Sequence, residues 1–423
     1  MSRVMLDARQ SLNRATAPIS AVVARVGDRR EYRLVFTTAV LALAILLPRL
    51  VDQVQVDAAT EAEVFVLLAL GLNIVVGFAG LLDLGYAAFF AIGALTMAWL
   101  ASPHFSVTGH SFSSPFLSFG SHGIFVNFFL MIPIAAITAA FCGVLFGAPT
   151  LRLRGDYLAI VTLGFGEIVP RVMQNLGPNN AFNWPDITGG VNAIVGIETP
   201  PTVNIFGLHA NFQGNSLNPW YYLGLIMIVF AVIVIISMRD SKLGRAWAAI
   251  REDEIAAAHM GINITRTRLL AFSLGAAFSG FGGVLEAARL GSVFYTTFSF
   301  NVSITILVMV ILGGMGSIPG VMLGAIIMSY LNLLWLADIS ATINNLGQRF
   351  ETSPGFIGSL GSWMHNVNLQ TASPLLFGII LLVTMLVRPQ GLWPSRTRAR
   401  ELRPATEDVL EEENAELATI RTE

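Results

Sequence analysis

Ten apolar stretches recur along this chain, at about Leu34–Leu50, Val64–Gly80, Gly85–Ala101, Ile124–Ala148, Tyr157–Met173, Trp220–Met238, Leu269–Ala288, Val302–Gly314, Gly320–Ala337 and Pro374–Val387. A helix needs about 20 such residues to cross roughly 30 Å of bilayer hydrocarbon. Charged residues are only 12% of the 423, half the roughly 25% of a soluble domain. Too few remain to build a water-facing shell. The expected fold is an all-α polytopic membrane protein with about ten transmembrane or partly re-entrant helices. A disulfide scaffold is excluded, because Cys142 is the only cysteine.

The placement of charge orients these spans. With the N-terminus cytoplasmic, 21 of the 25 basic residues fall on one side. They are the arginines of the first 33 residues, Arg152 and Arg154, the stretch from Arg239 to Arg268, and the tail from Arg388 onward. The four others are Arg49, Arg171, Arg289 and Arg349, and residues 174–218 hold neither Lys nor Arg. The positive-inside rule then puts both termini in the cytoplasm. A cleaved signal peptide ending near Ala58-Ala59 competes for the first span, but the basic tail is far longer than a usual n-region. The organisation expected is a basic tail over 1–33, a membrane domain over 34–394 and a short acidic tail over 395–423.

Several spans are interrupted. Val64–Gly80 carries Gly71, Gly77 and Gly80, and Tyr157–Met173 carries Gly164, Gly166, Glu167 and Pro170. Such breaks are tolerated at membrane depth where protein or a water-filled cavity covers the freed backbone. They therefore mark either a pathway or close glycine-mediated helix packing. Asp83, Tyr86, Asp156, Tyr157, Thr162 and Glu167 are the polar residues set among these spans, and they are candidates for a translocation path because ionisable groups are costly there. For Asp83 and Asp156 the competing reading is helix capping with pairing to Arg152 or Arg154. Three long loops, 102–123, 174–219 and 338–373, are read as a docking surface or as insertions. In the second, Thr188-Gly189-Gly190 holds paired glycines whose N–H groups could face an anion. His104, His110 and His122 match no zinc spacing, and neither HExxH nor GxSxG occurs. No catalytic constellation, metal site or cofactor site is therefore expected. The only lysine, Lys242, lies in Asp240-Ser241-Lys242-Leu243, which is no Walker A motif. Any ATP-driven process must use an ATPase on another polypeptide.

The most informative stretch is Ser241 to Asn263, SKLGRAWAAIREDEIAAAHMGIN, an Ala-rich helix former between two spans that stops at Gly261. It resembles the cytoplasmic coupling loop of ATP-binding-cassette importer permeases. Aligned on Gly261, Ile255-Ala256-Ala257 stands where Glu-Ala-Ala is usual, and Glu254 is one position early. Further runs are similar to the branched-chain amino acid permeases of the M type: Gly80-Leu81-Leu82-Asp83-Leu84-Gly85-Tyr86, Arg154-Gly155-Asp156-Tyr157-Leu158, Thr188-Gly189-Gly190, Leu312-Gly313-Gly314-Met315-Gly316 and Arg388-Pro389-Gln390-Gly391-Leu392. The resemblance covers about residues 64–394. It implies a multi-pass subunit of a bacterial inner membrane importer for leucine, isoleucine or valine, and no nucleic-acid partner. It also implies pairing with a second related permease, two cytosolic ATPases that carry ATP and Mg, and a periplasmic amino-acid-binding protein. The ATPase would be coupled through Gly244, Arg245, Ala246, Trp247, Ile250, Arg251, Glu252, Asp253, Glu254, Ala256, Ala257 and Gly261. Urea, short amides or other amino acids are alternative cargoes of the same architecture. A secondary transporter working without an ATPase would instead predict inverted repeats and paired charges at mid-membrane.

Overall fold

The computed structural model describes residues 30–105, 112–114, 117–120, 123–151, 153, 156–178, 185–205, 208–213, 217–351, 362, 365, 369–388 and 390–393. The arginines of the first 29 residues, Arg152, Arg154, His110, His122 and the acidic tail lie outside the described residues.

Each of the ten apolar stretches coincides with a helix. In chain order these are α1 (Arg30–Leu50), α2 (Gln53–Leu72, continued by a π-helical turn Asn73–Phe78), α3 (Tyr86–Leu100), α4 (Phe128–Thr150), α5 (Asp156–Asn175) and α6 (Asn218–Arg239). Two short helices follow, α7 (Lys242–Glu252) and α8 (Glu254–His259). The rest are α9 (Ile264–Leu290), α10 (Phe300–Gly313), α11 (Ile318–Tyr330, leading through a π turn Leu331–Trp335 into α12, Leu336–Glu351) and α13 (Ser373–Val387). Five are long and apolar enough to cross a membrane: α2 with its π turn, α4, α6, α9 and the α11–α12 unit. Short polar residues cap several of them. The side chains of Asn127, Asn263 and Ser317 accept backbone N–H bonds at the starts of α4, α9 and α11, satisfying donors that a helix leaves open.

Three boundaries differ from the apolar pattern, each for a physical reason. Helix α2 begins at Gln53, well before Val64, because its early acids are neutralised across the fold. The Arg289 guanidinium at the end of α9 lies 2.9 Å from Asp57, 3.8 Å from Glu61 and 3.2 Å from Glu286. Ala58 and Ala59, the competing cleavage position, are buried inside α2. Residues Gly123–Val126 form a strand rather than the start of a span. This strand, β4, pairs with β1 (Ala101–Ser102) and β3 (Leu117–Gly120), and β2 (Phe112–Ser113) completes an antiparallel sheet in the order β1-β4-β3-β2. Finally, residues 338–351 of the presumed third loop continue the helix, since the polar Asp338, Asn344, Asn345 and Gln348 hide a helical segment from an apolar scan.

The core is built around α2 and α9. Helix α2 is buried on nearly every face from Val56 to Leu72, as expected for a helix that is apolar all round. Helix α9 lies beside it and also packs on α3 and α4. At these crossings backbone meets backbone. A Cβ added at Gly93 of α3 would lie 2.6 Å from the Gly280 Cα of α9, and one added at Gly280 would lie 2.7 Å from the Ala135 carbonyl of α4. Helices α4, α6 and α13 instead turn large apolar side chains outward, among them Ile137, Phe141, Ile226, Phe230, Leu382 and Leu386.

Helix α5 provides a control for this packing, because a Cβ at its Gly164 meets nothing within 4 Å. Gly93→Ala should destabilise the protein by about 1–3 kcal/mol, the usual cost of overpacking. Gly164→Ala should be neutral or gain up to about 1 kcal/mol of helix propensity. Thermal unfolding in detergent checks both, and equal melting temperatures for the two variants would refute the backbone-contact account.

Candidate functional site

The segment between α6 and α9, which carries Lys242, Arg245 and Arg251, forms a bent pair of helices. Ser241 starts α7 by accepting from the Leu243 N–H at 3.1 Å. The Arg239 guanidinium, 2.8 Å from Asp240, holds that carboxyl below its ordinary value. The single helix expected over 241–261 is in fact broken at Asp253, whose extended backbone ends α7. Its carboxylate starts α8 by accepting from Ile255 and Ala256. A charge cluster expected at mid-helix thus supplies a cap. The stop at Gly261 stands: its φ is +83°, and Gly261 and Ile262 donate to the carbonyls of Ala258 and Ala257, which is a Schellman closure.

The proposed coupling residues divide by the direction they face. Trp247 is fully buried and donates its indole N–H to the Thr267 carbonyl at 2.9 Å. Ile250 and Ala257 are buried too, and Gly244 sits where any side chain would strike the Arg239 carbonyl. Glu254 accepts two bonds from Arg268 of α9, at 2.8 and 3.2 Å. These contacts seat the pair on the bundle. Arg245, Glu252, Asp253, Ala256 and Gly261 are exposed, and Ala246 and Arg251 are half-buried. Beyond them the pair displays large apolar side chains, most of all Ile255 at 72% and Met260 at 83% exposure. Nothing in the fold requires them there.

The candidate path residues also separate. Asp83 is buried and accepts from the Gly85 N–H at 2.9 Å, closing a local turn just before α3. Tyr86 is fully buried and donates to the Gly275 carbonyl at 2.8 Å. Thr162 of α5 accepts from the Leu84 N–H at 3.1 Å and so docks this loop on α5. Tyr86 thus ties α3 to α9 and Thr162 ties the loop to α5, while the Asp83 bond stays within the loop. The Asp156 side chain lies outside the described residues. A different face of α5 is open: Tyr157, Ile160, Glu167, Ile168 and Arg171 are exposed, and Gly164 lies among them with empty space beside it. At spacings of three and four residues they form one stripe.

At the far end of α5, Thr188 donates to the Met173 carbonyl at 2.6 Å. Gly189 and Gly190 have φ of +69° and +56°. Their N–H groups point at Asp186 and Thr188 at 2.8 and 3.4 Å, so the proposed anion cradle is filled by the loop's own side chains. His104 contacts the Asp186 carbonyl at 3.1 Å and ties the first loop to the second. Beside this junction Met97, Asn127, Phe128, Glu198 and Thr199 line a cavity of about 410 Å³, and burial raises the Glu198 carboxyl above its ordinary value. Among the described residues no cluster of metal-ligating side chains occurs.

Residues 55–387 match the family described as branched-chain amino acid transport system / permease component. The chain belongs to this permease family. It is similar to the high-affinity branched-chain amino acid transport system permease protein LivM of Escherichia coli, with 37% identity over 378 residues that cover 85% of this chain and 74% of that protein. LivM of Salmonella typhimurium is 36% identical over the same shares. LivH of Salmonella typhimurium is 32% identical over 136 residues, 32% of this chain and 44% of that protein. No solved structure matches the chain. The M-type resemblance therefore holds, and the family match takes in α7–α8, the Asp83 loop and the α5 stripe.

Two features of the permease escaped the sequence. One is the Arg289 cluster, whose four members are spread between residues 57 and 289. The other is the bond from Arg251 to the Gly77 carbonyl at 2.6 Å, which joins α7 to the π turn of α2. The spacing of glycines hinted at the turn, but nothing local named its partner. For the seating of α7, Trp247→Ala should cost about 3–5 kcal/mol, as for other buried tryptophans. Hydrogen exchange over 242–259 should then accelerate strongly, and unchanged exchange would show that Trp247 does not anchor the pair.

Proposed function

We propose that this permease is one of two related membrane subunits of an ATP-driven importer for leucine, isoleucine and valine, placed in the bacterial inner membrane with both termini cytoplasmic. The carrying observation is the firmly seated α7–α8 pair that holds Ile255 and Met260 in water on the Arg-rich side. Large apolar groups displayed this way mark a protein contact. The occupant proposed is an ATPase subunit, one per permease, with ATP and Mg bound on the ATPases. A periplasmic amino-acid-binding protein delivers the cargo to the opposite face, where the loops 102–123 and 174–219 are joined.

The open stripe of α5 fits the same assembly. A charged side chain facing lipid at mid-membrane costs about 2.5–3.5 kcal/mol by insertion measurements, so the face with Glu167 and Arg171 needs cover. The second permease provides it, and the two subunits enclose a path with Tyr157, Gly164 and Glu167 on one wall. A path for branched side chains is expected to be mostly apolar, as this stripe is.

The test is co-expression with the sister permease, ATPases and binding protein, followed by reconstitution in vesicles. Leucine with the binding protein should stimulate ATP hydrolysis, and Ile255→Asp with Met260→Asp should release the ATPases at purification. Stimulation by urea or an amide alone would reject the cargo. Uptake that proceeds without the ATPases would reject the importer. In a Cys142→Ser background, Gly164→Cys should react with a membrane-impermeant maleimide in the assembled complex; a cysteine facing lipid would stay unlabelled.

A further inference from the structure

Helix α2 loses its regular winding at Asn73–Phe78, where the Ala79 N–H reaches back to Ile74 and the Leu81 N–H to Val75. Carbonyls in a last helical turn lack intrahelical donors, and this end carries the negative pole of the helix dipole. The Gly77 carbonyl is met there by Arg251, 2.6 Å away. The stem of the same arginine lies along Gly80, whose φ is +70° and where an added Cβ would sit 3.1 Å from the Arg251 Cγ. One face of the turn is held elsewhere. The Asn73 carboxamide oxygen accepts from the Gly316 N–H at 2.8 Å, and a Cβ on Gly77 would lie 2.6 Å from that nitrogen.

From this turn the backbone runs through Gly80 and Asp83 to Leu84 and Gly85, which dock on Thr162 of α5. A continuous set of contacts thus joins the α7–α8 pair, through Arg251, to the helix that carries the open stripe. Two other attachments of the pair, Trp247 to Thr267 and Glu254 to Arg268, reach the well-packed α9. Of these three attachments, Arg251 alone engages a backbone segment whose helical winding is already broken. π turns of this kind recur at functional sites.

We infer that Arg251 is the positioning residue that transmits movement of the α7–α8 pair to the Asn73–Gly85 segment and through it to α5. The inference rests on the importer reading above, and adds to it the residue through which the coupling runs. Arg251 acts through the backbone of α2 and turns away from the tip formed by Ile255 and Met260. A contact transmits a change only where it differs between two states, so the bond to Gly77 is remade or displaced when the ATPases close.

The experiment uses the complete reconstituted complex. For Arg251→Gln the amount of leucine carried per ATP hydrolysed should fall at least tenfold while the ATPases still co-purify. Arg251→Lys, which keeps a cationic donor for the carbonyl, should recover part of that ratio. A ratio unchanged in Arg251→Gln overturns the inference, and so does loss of the ATPases, which would place Arg251 in the docking contact. A second measurement needs no variant: in the wild-type complex, hydrogen exchange over 73–85 should differ between nucleotide-free and vanadate-trapped states. Exchange that changes over 242–259 but not over 73–85 overturns the inference even if the substituted proteins do not accumulate. Failure of the wild-type chain to bind any ATPase instead counts against the importer reading itself.

Discussion

Helices already in lipid gain little hydrophobic free energy by leaving it for one another, so their association rests on close packing and a few polar contacts. In this permease that packing is backbone against backbone. Gly93 and Gly280 leave α3, α4 and α9 near enough that a single methyl group would collide with a main chain. Everything else is placed relative to this block. Helix α2 is enclosed beside it, α7 and α8 hang from it through Trp247 and Glu254, and α5 leans on its edge through Thr162.

A rigid block alone moves nothing. Function requires a place where the structure has two acceptable arrangements, and α2 supplies a candidate where its regular winding stops. Up to Leu72 the helix is regular and buried on nearly every face. Beyond it the chain passes through a π turn, a left-handed Gly80 and the hydrogen-bonded turn at Asp83 before α3 begins. The polar side chains nearest that break, Asn73, Asp83, Thr162 and Arg251, all bond backbone groups. They therefore set the geometry of the segment, whereas the side chains of the open stripe on α5 are left exposed.

Much of this was legible in the sequence because bilayer thickness imposes a length on each span, and water-facing ends impose charge. Each of the ten apolar stretches coincides with a helix, and Gly261 is legible as a stop because a helix that ends on a left-handed residue favours glycine there. Where the fold departs from the sequence reading, a pattern of residue types had not shown which groups folding brings together. Asp57 and Glu61 look like loop residues until Arg289, more than 200 positions away, is brought beside them. Asp253 reads as mid-helix charge until its carboxylate is seen to cap a second helix. Asp83 and Tyr86, candidates for the path, are both buried in the fold and bonded to backbone groups.

What the sequence alone determined is the class of molecule: a helical membrane protein with no Walker A motif of its own and an Ala-rich helical segment on its Arg-rich side. These follow from composition, span length and motif spacing, which are properties of neighbouring residues. What only the tertiary structure decided is which polar residues are spent on holding the fold and which stay open. It also decided that Arg251 meets Gly77 across the break in α2. The physical reason is that a buried polar group is defined by the partner folding brings to it, and for Arg251 that partner lies 174 positions away.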